Sequence, residues 1–233
     1  YMPPNLHSFY LKEKFYETSS FEKKFNCYLT SISTLNSRWN EKFSLSLKKM
    51  LVDKNIVNNM NIDLKYLHNI IDEKYFLCKT TGKDNNSRPI ISDIGFEFIE
   101  RNNKLYIDFL KYLYTDIIKE DFYFQKTPTI RFHVPVYNKH LFLPAWHCDS
   151  ILGHPPTEMN IWFSLTDNTH SDFWIGDLEN TQKWLEEFNF DCEAWKKMCF
   201  TYNEEFIKRG YSITKPVEDI YNNIFVFDSR CIH

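Results

Sequence analysis

The sequence is poor in glycine, and its few glycines do not form a phosphate-binding loop. Only 5 of the 233 residues are glycine. Rossmann and P-loop nucleotide sites need a glycine-rich turn between a strand and a helix, because the backbone must approach the phosphates closely. The sequence contains no such turn. A nucleotide-binding site of either type therefore lacks its signature.

An excess of charge of one sign is also missing. The chain has 28 Lys and Arg residues against 31 Asp and Glu residues, for a formal net charge of −3. Its lysines are mixed with acids, as around Asp53, which is typical of a solvated helix face. A nucleic-acid partner would require a concentrated basic surface, so none is expected.

Long apolar runs and paired cysteine motifs are absent as well. No run reaches the roughly 18 to 20 apolar residues of a membrane span, and the first residues lack the pattern of a signal peptide. The 6 cysteines form no C-x-x-C pair and no regular framework. Reduced thiols in a cytoplasmic protein, without a membrane partner, are therefore expected.

Apolar residues, by contrast, are plentiful enough for one large domain. Hydrophobic residues make up 43% of the chain and aromatic residues 18%. The sequence predicts a single domain over residues 1–233, with a helical cover over about 1–125 and a core over about 126–233. Truncation of this core at its C-terminus is one of two alternatives that the sequence leaves open. Residues 1–40 show no clear periodicity and receive no assignment.

Helical spacing of apolar residues recurs in four stretches. A loop is predicted over residues 82–89, and Gly210 is predicted to end the last helix. The recurring residues are Phe43, Leu47, Met50 and Leu51; Leu64, Leu67 and Ile71; Tyr106, Leu110, Leu113, Tyr114, Ile117 and Ile118; and Trp195, Met198, Cys199, Tyr202 and Phe206.

Strand patterns occur in the second half of the chain, over residues 129–134, 160–165 and 223–228. In the first two, one face is apolar and the other is polar. The polar faces fit either a cavity lining or an ordinary solvated sheet face. Helices, then strands, a helical insertion near 180–210 and a final strand predict an α+β fold around an antiparallel sandwich or barrel.

A candidate metal site lies at the ends of these strands. His147 and Asp149 flank Cys148, and alternate side chains of an extended segment face the same way. His233 follows the last predicted strand. Two imidazoles and one carboxylate form the iron-binding face of many non-haem iron enzymes, and they leave coordination positions open.

This combination resembles the Fe(II)/2-oxoglutarate-dependent oxygenases, particularly the phytanoyl-CoA-dioxygenase-like branch. The resemblance covers roughly residues 128–233 and implies a double-stranded β-helix, or jelly-roll, with flanking N-terminal helices. It implies that His147, Asp149 and His233 bind Fe(II) and are the catalytic residues. It also implies 2-oxoglutarate as cosubstrate and O₂ as oxidant, with hydroxylation as the commonest outcome.

The resemblance further implies an arginine for the far carboxylate of 2-oxoglutarate, about ten residues beyond the distal histidine and thus past position 233. Arg131, which shares a strand face with His133, is the candidate within the chain, and a surface arginine paired to an acid is the alternative. Asn160, Trp162 and Ser164 are predicted to line the cosubstrate or substrate pocket. For Trp162, ordinary packing is the alternative.

The remaining histidines and cysteines receive no catalytic role. His154 is predicted to be a solvent-exposed loop residue with substrate contact as the alternative, and His170 a turn residue. Cys148 is expected to point away from the ligands on either side. Cys231 shows no partnered base.

The predicted function is therefore that of an Fe(II)- and 2-oxoglutarate-dependent oxygenase that hydroxylates a small polar biosynthetic metabolite. One alternative is a jelly-roll protein that binds a sugar or another metabolite without redox chemistry. Another is a zinc or manganese hydrolase with the same three ligands. The sequence specifies neither the substrate nor the oligomeric state.

Overall fold

The computed structural model describes residues 4–35, 38–72, 75, 93–130, 132, 146–167, 169, 172–199, 201 and 203–233. The chain divides into two units. The first unit comprises Tyr1–Leu35 together with Tyr137–His233, and the second comprises Asn36–Val136. Most of the unassigned N-terminal residues, up to Leu35, thus belong to the same unit as the predicted metal ligands.

Helices and short strands alternate along the described residues of the first unit. No described helix of the chain is long and apolar enough to cross a membrane. The helices of this unit are α1 (Pro4–Phe15), α2 (Ser20–Phe25), α6 (Asp149–Leu152), α7 (Leu178–Glu187), α8 (Cys192–Cys199) and α9 (Glu204–Ile213). Its strands are β1 (Leu29–Ser33), β2 (Met159–Trp162), β3 (Trp174–Gly176), β4 (Thr214–Pro216) and β5 (Asn223–Asp228).

Strand β5 is the centre of a three-stranded antiparallel sheet with β1 and β2 on either side. Leu29 of β1 pairs with Phe227, and Met159 of β2 pairs with Asp228. Strands β3 and β4 form a second antiparallel pair. The helical insertion consists of α7, α8 and α9, which lie between β3 and β4 in the chain.

An α+β fold is therefore confirmed, whereas the jelly-roll arrangement stays a prediction. The strand predicted over 223–228 is confirmed by β5, and the one predicted over 160–165 is confirmed for residues 160–162. In the stretch 129–134, the described residues Thr129, Ile130 and Phe132 are not in a strand. The other three lie outside the described residues.

An aromatic core joins the helices of the insertion. Trp184 of α7 lies 4.6 Å from Trp195 of α8 and 4.6 Å from Phe206 of α9, measured between ring centroids. Of the stripe predicted from Trp195 to Phe206, Trp195, Cys199 and Phe206 are buried and Met198 is partly buried, and they are divided between two helices. Tyr202 lies outside the described residues. The division occurs at Asn203, whose side chain accepts a hydrogen bond from the backbone N–H of Phe206 at 2.9 Å and so begins α9.

The prediction that Gly210 ends a helix is wrong. Gly210 lies inside α9, which continues to Ile213. Its role is steric, because a Cβ at this position would lie 2.2 Å from atoms of the Trp146 indole ring. Trp146 precedes His147, so this close approach between backbone and ring fixes the chain next to the candidate site.

The second unit is helical in its described residues. Its elements are α3 (Trp39–Asp53), a 3₁₀ helix (Leu64–Asn69), α4 (Asp93–Arg101), α5 (Asn103–Tyr112) and a π-helical turn (Leu113–Ile118). The predicted apolar positions of α3 and the 3₁₀ segment are buried, as are Leu110, Leu113 and Ile118. Tyr114 is exposed instead. The predicted loop over 82–89 lies outside the described residues.

Candidate metal centre

The local backbone places His147 and Asp149 on the same side of the chain. Cys148 between them is extended, with φ −112° and ψ 146°, so that the side chains on either side of it project together. Asp149 is then the first residue of the short helix α6, which ends at Gly153 with φ +111°. The sharp turn that follows directs the chain back towards β2.

His233 reaches the same place from the end of β5. The chain turns after the strand, because the backbone N–H of Cys231 donates to the carbonyl of Asp228 at 3.0 Å. His233 then pairs directly with His147: each backbone N–H donates to the other residue's carbonyl, at 2.8 and 3.1 Å. This reciprocal pattern is that of a hydrogen-bonded antiparallel pair, so the backbone itself fixes the two histidines opposite each other.

The three predicted ligands therefore come together. One donor atom from each of His147, Asp149 and His233 lies within 4.8 Å of the others. Asp149 Oδ1 is 3.6 Å from Nε2 of His147 and 4.0 Å from Nε2 of His233. Because nitrogen and carboxylate ligands bind a divalent ion at about 2.0–2.2 Å, donors on one ion lie up to about 4 Å apart. The two distances that involve Asp149 fall within this range, so the three side chains could hold a single ion.

Hydrogen bonds orient two of the three donors. Nδ1 of His233 donates to the carbonyl of Cys231 at 3.0 Å, which leaves Nε2 as the basic nitrogen that faces Asp149. The side-chain amide of Asn160 donates to Oδ2 of Asp149 at 2.6 Å. Asn160 was predicted to line the pocket, and the structure places it on the carboxylate of a candidate ligand.

The charge balance of the site favours an ionised Asp149. Burial alone would raise the pKa of its carboxyl group, but the neighbouring His233 and His147 and the Asn160 amide lower it, and the net shift is downward. A metal ligand must be deprotonated; an ionised Asp149 meets this requirement, and His147 and His233 must be neutral when they bind a cation. The side chains of His147, Asp149 and His233 are 12%, 19% and 13% exposed, which leaves the donors partly open.

Aromatic rings flank the imidazole of His233. The ring of Trp162 stacks on that of Phe173, with centroids 4.4 Å apart and planes 16° apart. Phe173 and Phe227 lie 6.0 and 5.1 Å from the His233 ring. Trp162 is thus packed in an aromatic cluster beside the site, and it is partly exposed on β2.

Of the other predicted pocket residues, Ser164 is described and lies outside the donor set. The Ser164 hydroxyl lies 3.3 Å from that of Thr166 and accepts a hydrogen bond from the Thr166 backbone at 3.1 Å. Arg131 and His133, like His170, lie outside the described residues. His154 is exposed, as predicted, and its Nδ1 lies 3.0 Å from the Glu158 carboxylate.

The cysteines beside the ligands are buried. Cys148 and Cys231 are both fully inaccessible, and burial raises the pKa of each thiol above its ordinary value. A thiol held neutral in this way is a poor nucleophile. The expectation that neither cysteine has a catalytic role is consistent with this environment.

Several buried polar residues around the site were not predicted from the sequence. Arg230 and Asp228 form an ion pair at 2.8 Å within the turn that follows β5. His7 of α1 donates from Nε2 to the carbonyl of Ser150 at 2.8 Å. The one available signal for Arg230 was its place, with Asp228, between the apolar residues Ile224–Phe227 and Cys231–Ile232.

None of the family models, curated proteins or solved structures with which the chain was compared matches it.

Proposed function

We propose that the chain is an Fe(II)- and 2-oxoglutarate-dependent oxygenase that hydroxylates a small polar metabolite. The supporting observation is the donor set of His147, Asp149 and His233, in which three ligand atoms lie within 4.8 Å. Two imidazoles and one carboxylate are the ligand type of non-haem Fe(II) oxygenases. The resemblance in sequence over 128–233 leads to the same reaction class.

The protein's own residues hold and orient the metal ligands. His147 and His233 are fixed by their paired backbones, and Asn160 fixes the carboxylate of Asp149. When bound, Fe(II) with 2-oxoglutarate and O₂ supplies the chemistry, in which 2-oxoglutarate is converted to succinate and CO₂ while a substrate C–H bond is hydroxylated. The aromatic cluster of Trp162 and Phe173 beside His233 limits the access of water to one side of the centre.

The arginine that binds the far carboxylate of 2-oxoglutarate is proposed to be Arg131 or a residue beyond position 233. Arg230 is close in sequence to His233, but it does not serve this purpose. Its guanidinium is buried and is bonded to Asp228 and Glu22. An arginine whose donors are already used cannot form a bidentate pair with a cosubstrate.

Anaerobic titration with Fe(II) and 2-oxoglutarate tests the proposal. We expect a weak metal-to-ligand absorption band in the wild-type protein and its loss in His147→Ala, because that variant lacks one of three ligands. His154→Ala is the matched control, since His154 is an exposed histidine outside the donor set. It is expected to keep the band.

Three results would contradict the proposal, and each has a distinct reading. A band of equal strength in wild type and His147→Ala would exclude the donor set. Zinc or manganese in freshly purified protein, without a band and without succinate, would favour a hydrolase. Metabolite binding that is unaffected by His147→Ala, in a protein that takes up no metal, would favour a binding protein.

A further inference from the structure

The turn Asp228–Cys231 is hydrogen-bonded to both segments that carry the candidate ligands. The carbonyl of Cys231 accepts from Nδ1 of His233 at 3.0 Å. The carbonyl of Ser229 accepts from the backbone N–H of Ser150, the residue after Asp149, at 3.2 Å. The hydroxyl groups of Ser229 and Ser150 also lie 3.1 Å apart. A movement of this turn would therefore shift two of the three donors together.

A buried ion pair sets the shape of the turn. Arg230 donates from Nε to Oδ1 of Asp228 at 2.9 Å and from Nη2 to Oδ2 at 2.8 Å. The backbone N–H of Arg230 also donates to Oδ1 at 2.9 Å. The two residues are 2% and 0% exposed. Such a fork has one geometry, so the two residues hold the turn in one conformation.

The remaining donors of Arg230 bind the N-terminal segment. Nη1 donates to the carbonyls of Phe15 and Glu17 at 2.6 and 2.7 Å, and Nη2 also donates to the Glu22 carboxylate. All five N–H groups of the guanidinium are thereby used. The end of α1, the segment after it and the start of α2 are thus all bonded to the turn through Arg230.

Ser19 completes the arrangement at the start of α2. Its hydroxyl donates to Oδ2 of Asp228 at 2.5 Å and accepts from the backbone N–H of Glu22 at 3.1 Å. The Glu22 carboxylate in turn accepts from the backbone N–H of Ser19 at 2.9 Å. This capping box orients the carboxylate that receives Arg230.

We infer that Arg230 is a positioning residue for the metal centre, which acts through the turn Asp228–Cys231 on His233 and Asp149. The inference rests on the proposed metal centre and goes beyond it by assigning a role to the N-terminal segment. Buried ion pairs add little net stability compared with apolar packing, so stability alone is a weak reason for this network. Partners behind metal ligands typically change metal affinity by about 10–100-fold.

Binding of Co(II) to the whole chain provides the test, with its visible absorption and a competing chelator as readouts. Arg230→Lys keeps the charge but loses the fork, so we expect its dissociation constant for Co(II) to rise by at least about 10-fold. The visible bands are expected to change shape as the ligand geometry relaxes. Ser19→Ala removes one hydrogen bond to Asp228 and is expected to change affinity in the same direction by less.

A matched control separates positioning from general loss of stability. Leu113→Ala removes a fully buried side chain from the apolar core of the second unit. It is expected to lower the melting temperature of the metal-free protein while the dissociation constant for Co(II) stays at the wild-type value. A positioning role therefore predicts that affinity and melting temperature change independently.

The remaining outcomes would contradict either the role of Arg230 or the metal centre itself. If Arg230→Lys binds Co(II) as tightly as wild type, with unchanged bands, Arg230 is a structural residue only. If Arg230→Lys does not fold, unchanged affinity in both Ser19→Ala and Glu22→Gln leads to the same conclusion. If wild type binds no Co(II), or His147→Ala binds it equally well, the metal centre itself is wrong and the inference falls with it.

Discussion

The two units differ in what they bury. Among the described residues of the second unit, the buried polar side chains are Asn40 and Ser44, and the rest of its buried set is aliphatic or aromatic. The first unit buries a much larger polar set, which comprises His7, Ser19, Thr34, Ser150, Thr181, Thr214, Asp228, Ser229 and Arg230. Most of the larger set lies around one turn and the ligands next to it.

The two units illustrate two kinds of protein interior, one that is apolar and one that contains buried, hydrogen-bonded polar groups. An apolar core stabilises by removing surface from water and tolerates exchanges of similar volume. A buried polar group stabilises little in net terms and is costly when it loses its partner, but its bonds have direction. The buried polar groups of the first unit therefore give its interior directional bonds next to the candidate ligands, whereas the described core of the second unit is mainly apolar.

The largest loss of stability is expected for Asp228→Ala. Removing this carboxylate leaves the buried guanidinium of Arg230 without its main partner, which costs about 3–5 kcal/mol in the free energy of unfolding. Urea denaturation measures the loss. Asp172→Ala, at an exposed carboxylate of the same unit, is the control and is expected to stay within about 0.5 kcal/mol of wild type. Equal stability of the two variants would remove the contrast between the units.

A somewhat smaller effect is expected in the apolar core of the second unit. Leu113 is fully buried, and Leu113→Ala is expected to cost about 2–5 kcal/mol through lost contacts and the remaining cavity. Leu113→Met keeps most of the volume and is expected to cost less than about 1.5 kcal/mol. Co(II) affinity should be unchanged in both variants. A loss of affinity that tracks this cavity would show that the second unit also positions the ligands.

Gly210→Ala tests close packing next to the ligands. In an ordinary helix this change stabilises by about 0.5–1 kcal/mol, but here the new Cβ meets the Trp146 ring. We expect a net loss of about 1–3 kcal/mol in thermal unfolding. Trp146→Phe in the same chain should recover part of the loss, since it shortens the ring that clashes. A more stable Gly210→Ala variant would mean that the ring moves freely.

The smallest change in stability is expected for the exposed pair of His154 and Glu158. The hydrogen bond to Glu158 raises the pKa of His154 above its ordinary value. The stabilising contribution is therefore complete below the unfolded pKa of about 6.5 and is lost as pH rises through the higher folded value. Glu158→Gln should lower the His154 pKa in an NMR titration and should reduce stability slightly at acid pH only, because an exposed pair contributes little. An equal loss of stability at alkaline pH would contradict the expected pH dependence.

Local patterns predicted the elements that bury a regular face. Phe43, Leu47 and Leu51 recur at helical spacing and are buried in α3. The apolar run that begins at Ile224 became β5, the central strand. The shared orientation of His147 and Asp149 was also predictable, because the extended backbone at Cys148 places its two neighbours on one side. Each of these inferences used neighbours in the sequence.

What was not predicted depends on partners far apart in the chain. The bonds of Arg230 reach residues 208 to 215 positions away, and no periodic pattern encodes such a partner. In the sequence, Gly210 is typical of a helix end. Only the fold shows that the ring of Trp146 lies against it. Asn160 was recognised as part of a polar strand face, but only the fold shows that the face meets Asp149. The surroundings of Arg230, Gly210 and Asn160 are all determined by tertiary contacts.

The reciprocal pairing of His147 and His233 bears on how readily the centre can be altered. Both bonds are made by main-chain groups, so the spacing of the two positions is independent of the side chains that they carry. Cysteine or aspartate at either position would project from the same fixed origin as the imidazole. In the proposed metal centre, the softness of the donors and with it the preferred ion would therefore be adjustable by single substitutions without rebuilding the scaffold.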